Sequence, residues 1–345
     1  MSDTATGLLL VNLGTPDAPR AREVRRYLRE FLSDPRVIDL PAPARWLLLH
    51  LFILPTRPRR AAEAYAKVWT EAGSPLLFHG EALASALRGR LSPEMPVALG
   101  MRYGNPSIAS ALAELADAGV RRIVVLPLFP QYSEAATGSA LVRVREVAAG
   151  RPESLELIEI NDFYAHPGFA SAWRSVAAPR IARFEPDHVL FSYHGLPERQ
   201  IRSHDSARHC LRQPDCCEAP AAATRGCYRA QCFATTRILT EALCLDPTRT
   251  LTAFQSRLGR TPWITPHTDV VIPELHAQGV RRLAILCPSF VADCLETIEE
   301  IGIRAREQWQ TLGGEALELI PCPNSDPVWV DAVETLARTA AEPAR

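Results

Sequence analysis

The sequence predicts two doubly wound, Rossmann-like α/β domains, each a parallel sheet flanked by helices, facing one another across a cleft. Three observations carry this expectation. Apolar strand-like runs alternate with amphipathic helical patterns along the chain, as in parallel sheets covered on both faces. Segments of the first half return, in the same order, in the second. The chain, at 345 residues, is too long for one small core and suits two domains of ordinary size.

In the first half, strand-like runs fall at 8–13, 97–103, 122–128 and 155–160, with helical patterns near 20–32, 79–91, 107–118, 137–149 and 167–184. The second half gives strands at 188–193, 250–255, 282–287 and 316–320, with helices near 232–243, 268–278, 293–311 and 326–343. The expected domains are 1–180, with an apolar lip at 44–60, and 181–345, with a cysteine-rich insertion at 206–232 and a last helix at 326–343. The repetition is explicit. "AGVRRIVVLPLFP" (118–130) returns as "QGVRRLAILCPSF" (278–290), and "LLLVNLGTP" (8–16) is answered by "VLFSYHGLP" (189–197). "MRYGNP" (101–106) and "QSRLGRTP" (255–262) form a looser third pair. Three matches in one order point to an ancient duplication.

Composition excludes several classes. The chain is 47% hydrophobic and 22% charged with net charge −1, so no basic excess invites nucleic acid. Lys67 is the only lysine among the 38 basic residues, an arginine bias that reflects genome composition more than chemistry. The first apolar run lacks a basic leader and reads as a strand, not a signal peptide. No stretch approaches the roughly 18 apolar residues of a membrane span, so a cytoplasmic protein is expected. Nine cysteines then suggest a reducing compartment and metal in preference to disulfides.

Two features carry chemistry. His194 closes a buried-strand run just before Gly195 and Pro197, at the strand end where α/β folds bind ligands. In "SFVADCLETIEEIG" (289–302), Asp293, Glu296 and Glu300 stand at i, i+3 and i+7, one face of a helix. Each feature has a structural reading. A strand-end histidine is often a satisfied polar residue. Asp293 with Glu296 is a D-x-x-E capping pair, and acids suit a first helical turn. The duplication places both at equivalent strand ends, where a histidine opposite carboxylates can take up protons, guide a divalent cation, or both.

The blocks "FSYHGLPER" (191–199), "TAFQSRLGRTPW" (252–263), "CPSFVADCLETIEEI" (287–301) and "LFPQYSEAATGSA" (128–140) resemble the signature blocks of the ferrochelatases. The likeness runs from "LLLVNLGTP" to "LIPCPN" (319–324). It implies the two-domain chelatase fold, with the porphyrin in the cleft, and insertion of Fe²⁺ into protoporphyrin IX to form heme. It further implies His194 and Glu296 as catalytic and metal-contacting residues, with Asp293 and Glu300 continuing an acidic path. Arg102, Tyr103, Phe129, Phe290 and Trp263 are the porphyrin-binding residues so implied. Phe129 stands where some relatives carry a tyrosine, so aromatic packing remains and that hydroxyl is absent. A chelatase for another tetrapyrrole or metal, such as coproporphyrin or cobalt, is the nearest alternative. A non-catalytic heme or iron carrier is the other.

Two segments extend this reading. "ARWLLLHLFILPTRPRR" (44–60) is either a buried core helix or an interfacial segment, with Trp46 at the boundary and arginines on headgroups. Relatives have an apolar lip at the pocket mouth, so peripheral contact with lipid on the inner face of the cell membrane is expected. Cys210, Cys216, Cys217, Cys227 and Cys232 are spaced C-x5-C-C-x9-C-x4-C within an apparent insertion. Structural zinc is one reading. The resemblance favours a [2Fe–2S] cluster on four of the five, as in one bacterial group with an internal segment of this kind. A monomer and a homodimer are both compatible with the sequence.

Overall fold

Eight apolar runs form eight strands, and each strand pairs with its neighbours in parallel. The structure, a computed structural model, describes residues 6–205, 208–213, 215–217, 224–259 and 261–342. One sheet takes β1 (Thr6–Thr15), β2 (Val97–Gly104), β3 (Arg122–Pro127) and β4 (Glu156–Glu159) in the order β2-β1-β3-β4. The other takes β5 (His188–His194), β6 (Thr250–Gln255), β7 (Arg282–Leu286) and β8 (Ala316–Leu319) in the order β6-β5-β7-β8. The two orders are identical, and β1 and β5 are the equivalent central strands. Ligands of such sheets sit beyond the strand carboxyl ends where the chain order reverses, here beside β1 and β3 and beside β5 and β7.

The chain forms two compact units. One runs to Phe129, then takes Ser133–Asp162 and the stretch from Val330; the other takes Pro130–Tyr132 and Phe163–Trp329. In the first, Leu9, Val11 and Val125 of the sheet bury against Leu112 and Leu141 of its helices. In the second, Leu190, Leu283 and Ile285 bury against Ile272 and Trp309. Burial on this scale, at about 25 cal/mol per Å² of apolar surface, is what holds each sheet. The last helix, Pro327–Ala341, joins the first unit from Val330 on. There Asp331 and Glu334 meet Arg90, and Arg338 lies 3.9 Å from Glu94.

The duplication reaches below topology. Met101 and Ser107 bridge across a cis Asn105–Pro106 bond, as Phe254 and His267 do across a cis Thr265–Pro266 bond. The N–H groups of Met101 and Phe254 donate to the carbonyls of Pro106 and Pro266 at 2.6 and 2.8 Å. Wide π-helical segments follow the third strand of each sheet, at Glu134–Gly138 and Glu296–Ala305. Such segments are rare and concentrate at functional sites.

The lip is helical despite its prolines. Helix Ala42–Leu47 passes through a wide stretch, Leu48–Ile53, into helix Leu54–Val68. Pro58 lacks the N–H that would bond the Leu54 carbonyl, and Arg25 Nη1 donates to that carbonyl instead at 2.9 Å. Leu49 is 1% exposed, whereas Trp46, Leu51 and Phe52 are 56, 58 and 66% exposed. The segment is therefore not a buried core helix. No helix among the described residues is long and apolar enough to cross a membrane.

Candidate active site

His194 is the last residue of β5, in register with Gln255 at the end of β6. The glycine after it is required by close packing. Gly195 N–H donates to the Gln255 carbonyl at 2.8 Å, and a Cβ at Gly195 would lie 2.8 Å from that oxygen and 3.3 Å from Cε3 of Trp263. Trp263 is fixed in turn, its Nε1–H donating to the Leu258 carbonyl at 2.9 Å and its backbone bridging Pro197. Phe290 lies beside the imidazole, ring centroids 6.4 Å apart and tilted 65°. The backbone of His194 is held at both ends. Its N–H donates to Ser289 Oγ at 3.0 Å, and its carbonyl accepts the Tyr228 hydroxyl at 2.8 Å. Nδ1 lies 2.7 Å from the Gly195 carbonyl, which can only accept, so Nδ1 carries the hydrogen. The lone pair of the neutral ring is then on Nε2, free for a proton or a metal.

The acidic stretch departs from the expected single helix face. The helix begins at Glu296, so Glu296 and Glu300 lie one turn apart while Asp293 precedes it in a loop. The Asp293 carboxylate is committed to that loop. It accepts Thr297 Oγ1 at 3.1 Å, Asn324 Nδ2 at 2.8 Å and the Cys322 N–H at 3.3 Å. No D-x-x-E capping pair forms; Thr297 Oγ1 takes the Cys294 N–H at 3.0 Å instead. Glu300 is engaged too, accepting the N–H and Oγ–H of Ser256 at 2.8 and 2.5 Å. Glu299 points away and pairs with Arg304 at 2.8 Å. Glu296 differs. Its backbone carbonyl accepts Gln255 Nε2 at 2.8 Å, whereas no N–H or O–H donor among the described residues bonds its carboxylate. The thiol of Cys294 lies beside that carboxylate, and burial together with the Glu296 charge pushes this thiol well up.

Gln255 thus stands between His194, its register partner, and Glu296, its hydrogen-bond partner. Its Oε1 accepts Ser192 Oγ at 2.7 Å, which fixes the amide. Sequence reasoning missed Gln255, Ser256, Ser289 and Tyr228. The first two lie inside "TAFQSRLGRTPW" and Ser289 inside "CPSF", so the block boundaries were the available signal.

In the first unit, Arg102 and Tyr103 end β2 on a buried polar network. Arg102 Nη2 reaches Asp34 Oδ2 at 2.5 Å, Nε donates to Ser139 Oγ at 2.7 Å, and the guanidinium lies 4.4 Å over the Tyr103 ring. The Tyr103 hydroxyl meets Asp34 and Ser139 at 2.9 and 3.0 Å. Burial pushes the Asp34 carboxyl up, but bonds from Ser139 and the Arg36 N–H and the charge of Arg102 outweigh it and hold it below the ordinary 3.8. Tyr103 is fully buried, so it supports Arg102 and offers no surface of its own. Phe129 is half-buried against the core of this unit.

All five clustered cysteines are buried thiols. Cys216 and Cys217 turn their sulfurs to 3.7 Å of each other although adjacent in sequence. The Cys227 thiol lies beside those of Cys210 and Cys217, and Arg229 lies against Cys217. Among the described residues no three His, Cys, Asp or Glu side chains are poised on a common metal position. The donor set nevertheless fits a soft, closed metal site. Four sulfurs neighbour one another in pairs, and the buried Arg229 would offset the charge the thiolates carry once on a metal. Residues 206, 207, 214 and 218–223 of the insertion lie outside the described residues.

Two four-stranded parallel sheets of one strand order make up the chelatase-type fold. The solved structure of "SirB from Bacillus subtilis with Fe3+" shares the fold at TM-score 0.53 and 13% identity, over 97% of this chain and 95% of that one. The ferrochelatase family model matches residues 5–341. The ferrochelatase of Coxiella burnetii (strain CbuK_Q154) is 48% identical over 337 residues, 97% of this chain and 94% of the relative. That of Legionella pneumophila (strain Lens) is 49% identical over 330 residues, 96% and 98% of the two chains. The chain belongs to the ferrochelatase family, and so to the metal-chelating lyases.

Proposed function

We propose that the chain inserts Fe²⁺ into protoporphyrin IX, with His194 as proton acceptor and Glu296 as the carboxylate that meets the metal or the second proton. The observation that carries this is the state of the two side chains. The His194 ring commits its Nδ1 hydrogen to Gly195 and leaves Nε2 open, while Glu296 alone in the acidic stretch has no N–H or O–H donor among the described residues. Insertion exchanges two pyrrole protons for one Fe²⁺, so two bases are what the balance demands. Holding them fixed favours the distorted, deprotonating ring over the flat substrate. Glu300 extends the acidic line by one turn, and Asp293 secures the loop that carries it. Arg102, steadied by Asp34, Ser139 and Tyr103, keeps Nη1 for a porphyrin carboxylate, and Phe129, Phe290 and Trp263 supply aromatic contact.

The test is anaerobic incubation with Fe²⁺ and protoporphyrin IX, following loss of the free-base absorption. The wild-type chain should turn over, and His194→Ala should fall by ~10²–10⁴-fold with the fold intact. Turnover by His194→Ala near the wild-type rate would sink the assignment. Faster reaction with coproporphyrin or cobalt would redirect the substrate, and binding without turnover would favour a carrier.

Two further assignments belong here. Cys210, Cys216, Cys217 and Cys227 hold a [2Fe–2S] cluster, with Cys232 as the spare thiol. Such a centre would supply one-electron redox chemistry and cross-link the insertion. The exposed apolar face of Trp46, Leu51 and Phe52, followed by Arg57, Arg59 and Arg60, supports peripheral contact with anionic lipid, where a poorly soluble porphyrin resides.

A further inference from the structure

The cysteine segment and His194 meet through one side chain. Cys227 is the N-cap of helix Tyr228–Ala242, and Tyr228 is its first residue. Tyr228 is buried and its hydroxyl donates to the His194 carbonyl at 2.8 Å. Cys232 and Ser289 lie beside the same hydroxyl, and Ser289 Oγ accepts the His194 N–H at 3.0 Å. Both backbone polar groups of His194 therefore end on one small cluster that starts at the residue after Cys227. A tyrosine has two side-chain torsions, so a shift at its Cα is passed to its hydroxyl with little loss. Cys227 is itself tied down on the insertion side, donating its N–H to the Thr224 carbonyl at 2.9 Å, with its thiol beside those of Cys210 and Cys217.

We propose that Tyr228 is a positioning residue for His194 and that it transmits the state of the cysteine site to the imidazole. The transmission rests on the cluster assignment made above; the positioning does not. When the four thiols are drawn together on a metal, Cys227 is fixed, the helix start is fixed, and the His194 carbonyl keeps its donor. When the thiols are released, the helix start loosens and Nε2 loses its aim. The cysteine site thereby acts on metal insertion without touching porphyrin.

Tyr228→Phe in the full chain removes only the hydroxyl. The kcat should fall roughly five- to tenfold, the scale of one lost hydrogen bond. The KM for porphyrin should stay within about twofold. In the nuclear magnetic resonance spectrum of histidine-labelled protein, the His194 ring signal, identified by its loss in His194→Ala, should move. Unchanged kcat and ring signal would overturn the positioning, as would a fall in kcat matched by an equal rise in KM and a collapse of the unfolding midpoint. The transmission is read by adding Cys217→Ser. It should lower kcat and shift the ring signal when Tyr228 is present, and do neither further in Tyr228→Phe. Equal effects in both backgrounds would overturn the transmission. Iron and sulfide analysis of anaerobically purified wild-type protein separates the two readings: without a cluster the transmission falls, while Tyr228→Phe still decides the positioning.

Discussion

Asp293 and Glu296 stand three positions apart and do different work, a difference that spacing cannot express. The Asp293 carboxylate satisfies three donors in a buried loop, whereas that of Glu296 has no N–H or O–H donor among the described residues and meets only the Cys294 thiol. Asp293→Ala should therefore cost about 2–4 kcal/mol in denaturant unfolding, because Asn324 and the Cys322 N–H lose their acceptor. A change under 0.5 kcal/mol would return Asp293 to the acidic path. His194 at a strand end was legible because strand length and the Gly195–Pro197 break are local signals. Its partners were not. Gln255, Ser289 and Tyr228 reach it through sheet register and hydrogen bonds across 61, 95 and 34 positions of sequence.

At the scale of elements, the end of β2 and the lip answer to pH and to lipid. Asp34 titrates below its ordinary 3.8 in the folded protein, so its ionised form contributes stability above that value. The contribution is lost as pH falls through the lower, folded value. Asp34→Asn, which leaves Arg102 without its buried counter-charge, should lower stability by about 3 kcal/mol near neutrality. The gap from wild type should hold down to about pH 5 and close below 3.8. A gap independent of pH would mean that the carboxylate charge is not what the network uses. In the lip, Leu51 and Phe52 are exposed, so Leu51→Glu with Phe52→Glu should leave the unfolding midpoint within a few degrees. Binding to anionic vesicles should weaken at least tenfold, and unaltered binding would remove the lipid assignment. The strands were readable as apolar runs. Whether the lip was core or interface was not, and only the distant Arg25 shows how the carbonyl freed by Pro58 is satisfied.

For the whole molecule, duplication made the fold legible. Two halves with one strand order reinforce each other's weak signals, and the repeated Gly-x-Pro and Gly-Val-Arg-Arg segments fix their alignment. The cysteine insertion has no counterpart in the first half, and so no second copy to read it against. Anaerobically purified protein should be red-brown, with two irons and two sulfides per chain. Serine at each of the five clustered cysteines in turn should bleach four variants and spare Cys232→Ser. Zinc without sulfide would replace the cluster with a structural metal site.

The last helix bears on how the molecule comes into being. The first sheet is complete in sequence at Glu159, yet the stretch from Val330 that finishes its unit is synthesised only after Phe163–Trp329 of the second. At ~5–20 residues per second that interval lasts roughly ten to thirty seconds. Through it the nascent first unit lacks the buried Val330, Val333 and Ala337 of the closing helix. The unit encoded second has all of its own residues by Trp329, so order of completion runs against order of translation. The unit that leaves the ribosome first is thus the one completed second, and it stays open to chaperones and proteases until the closing helix has been made.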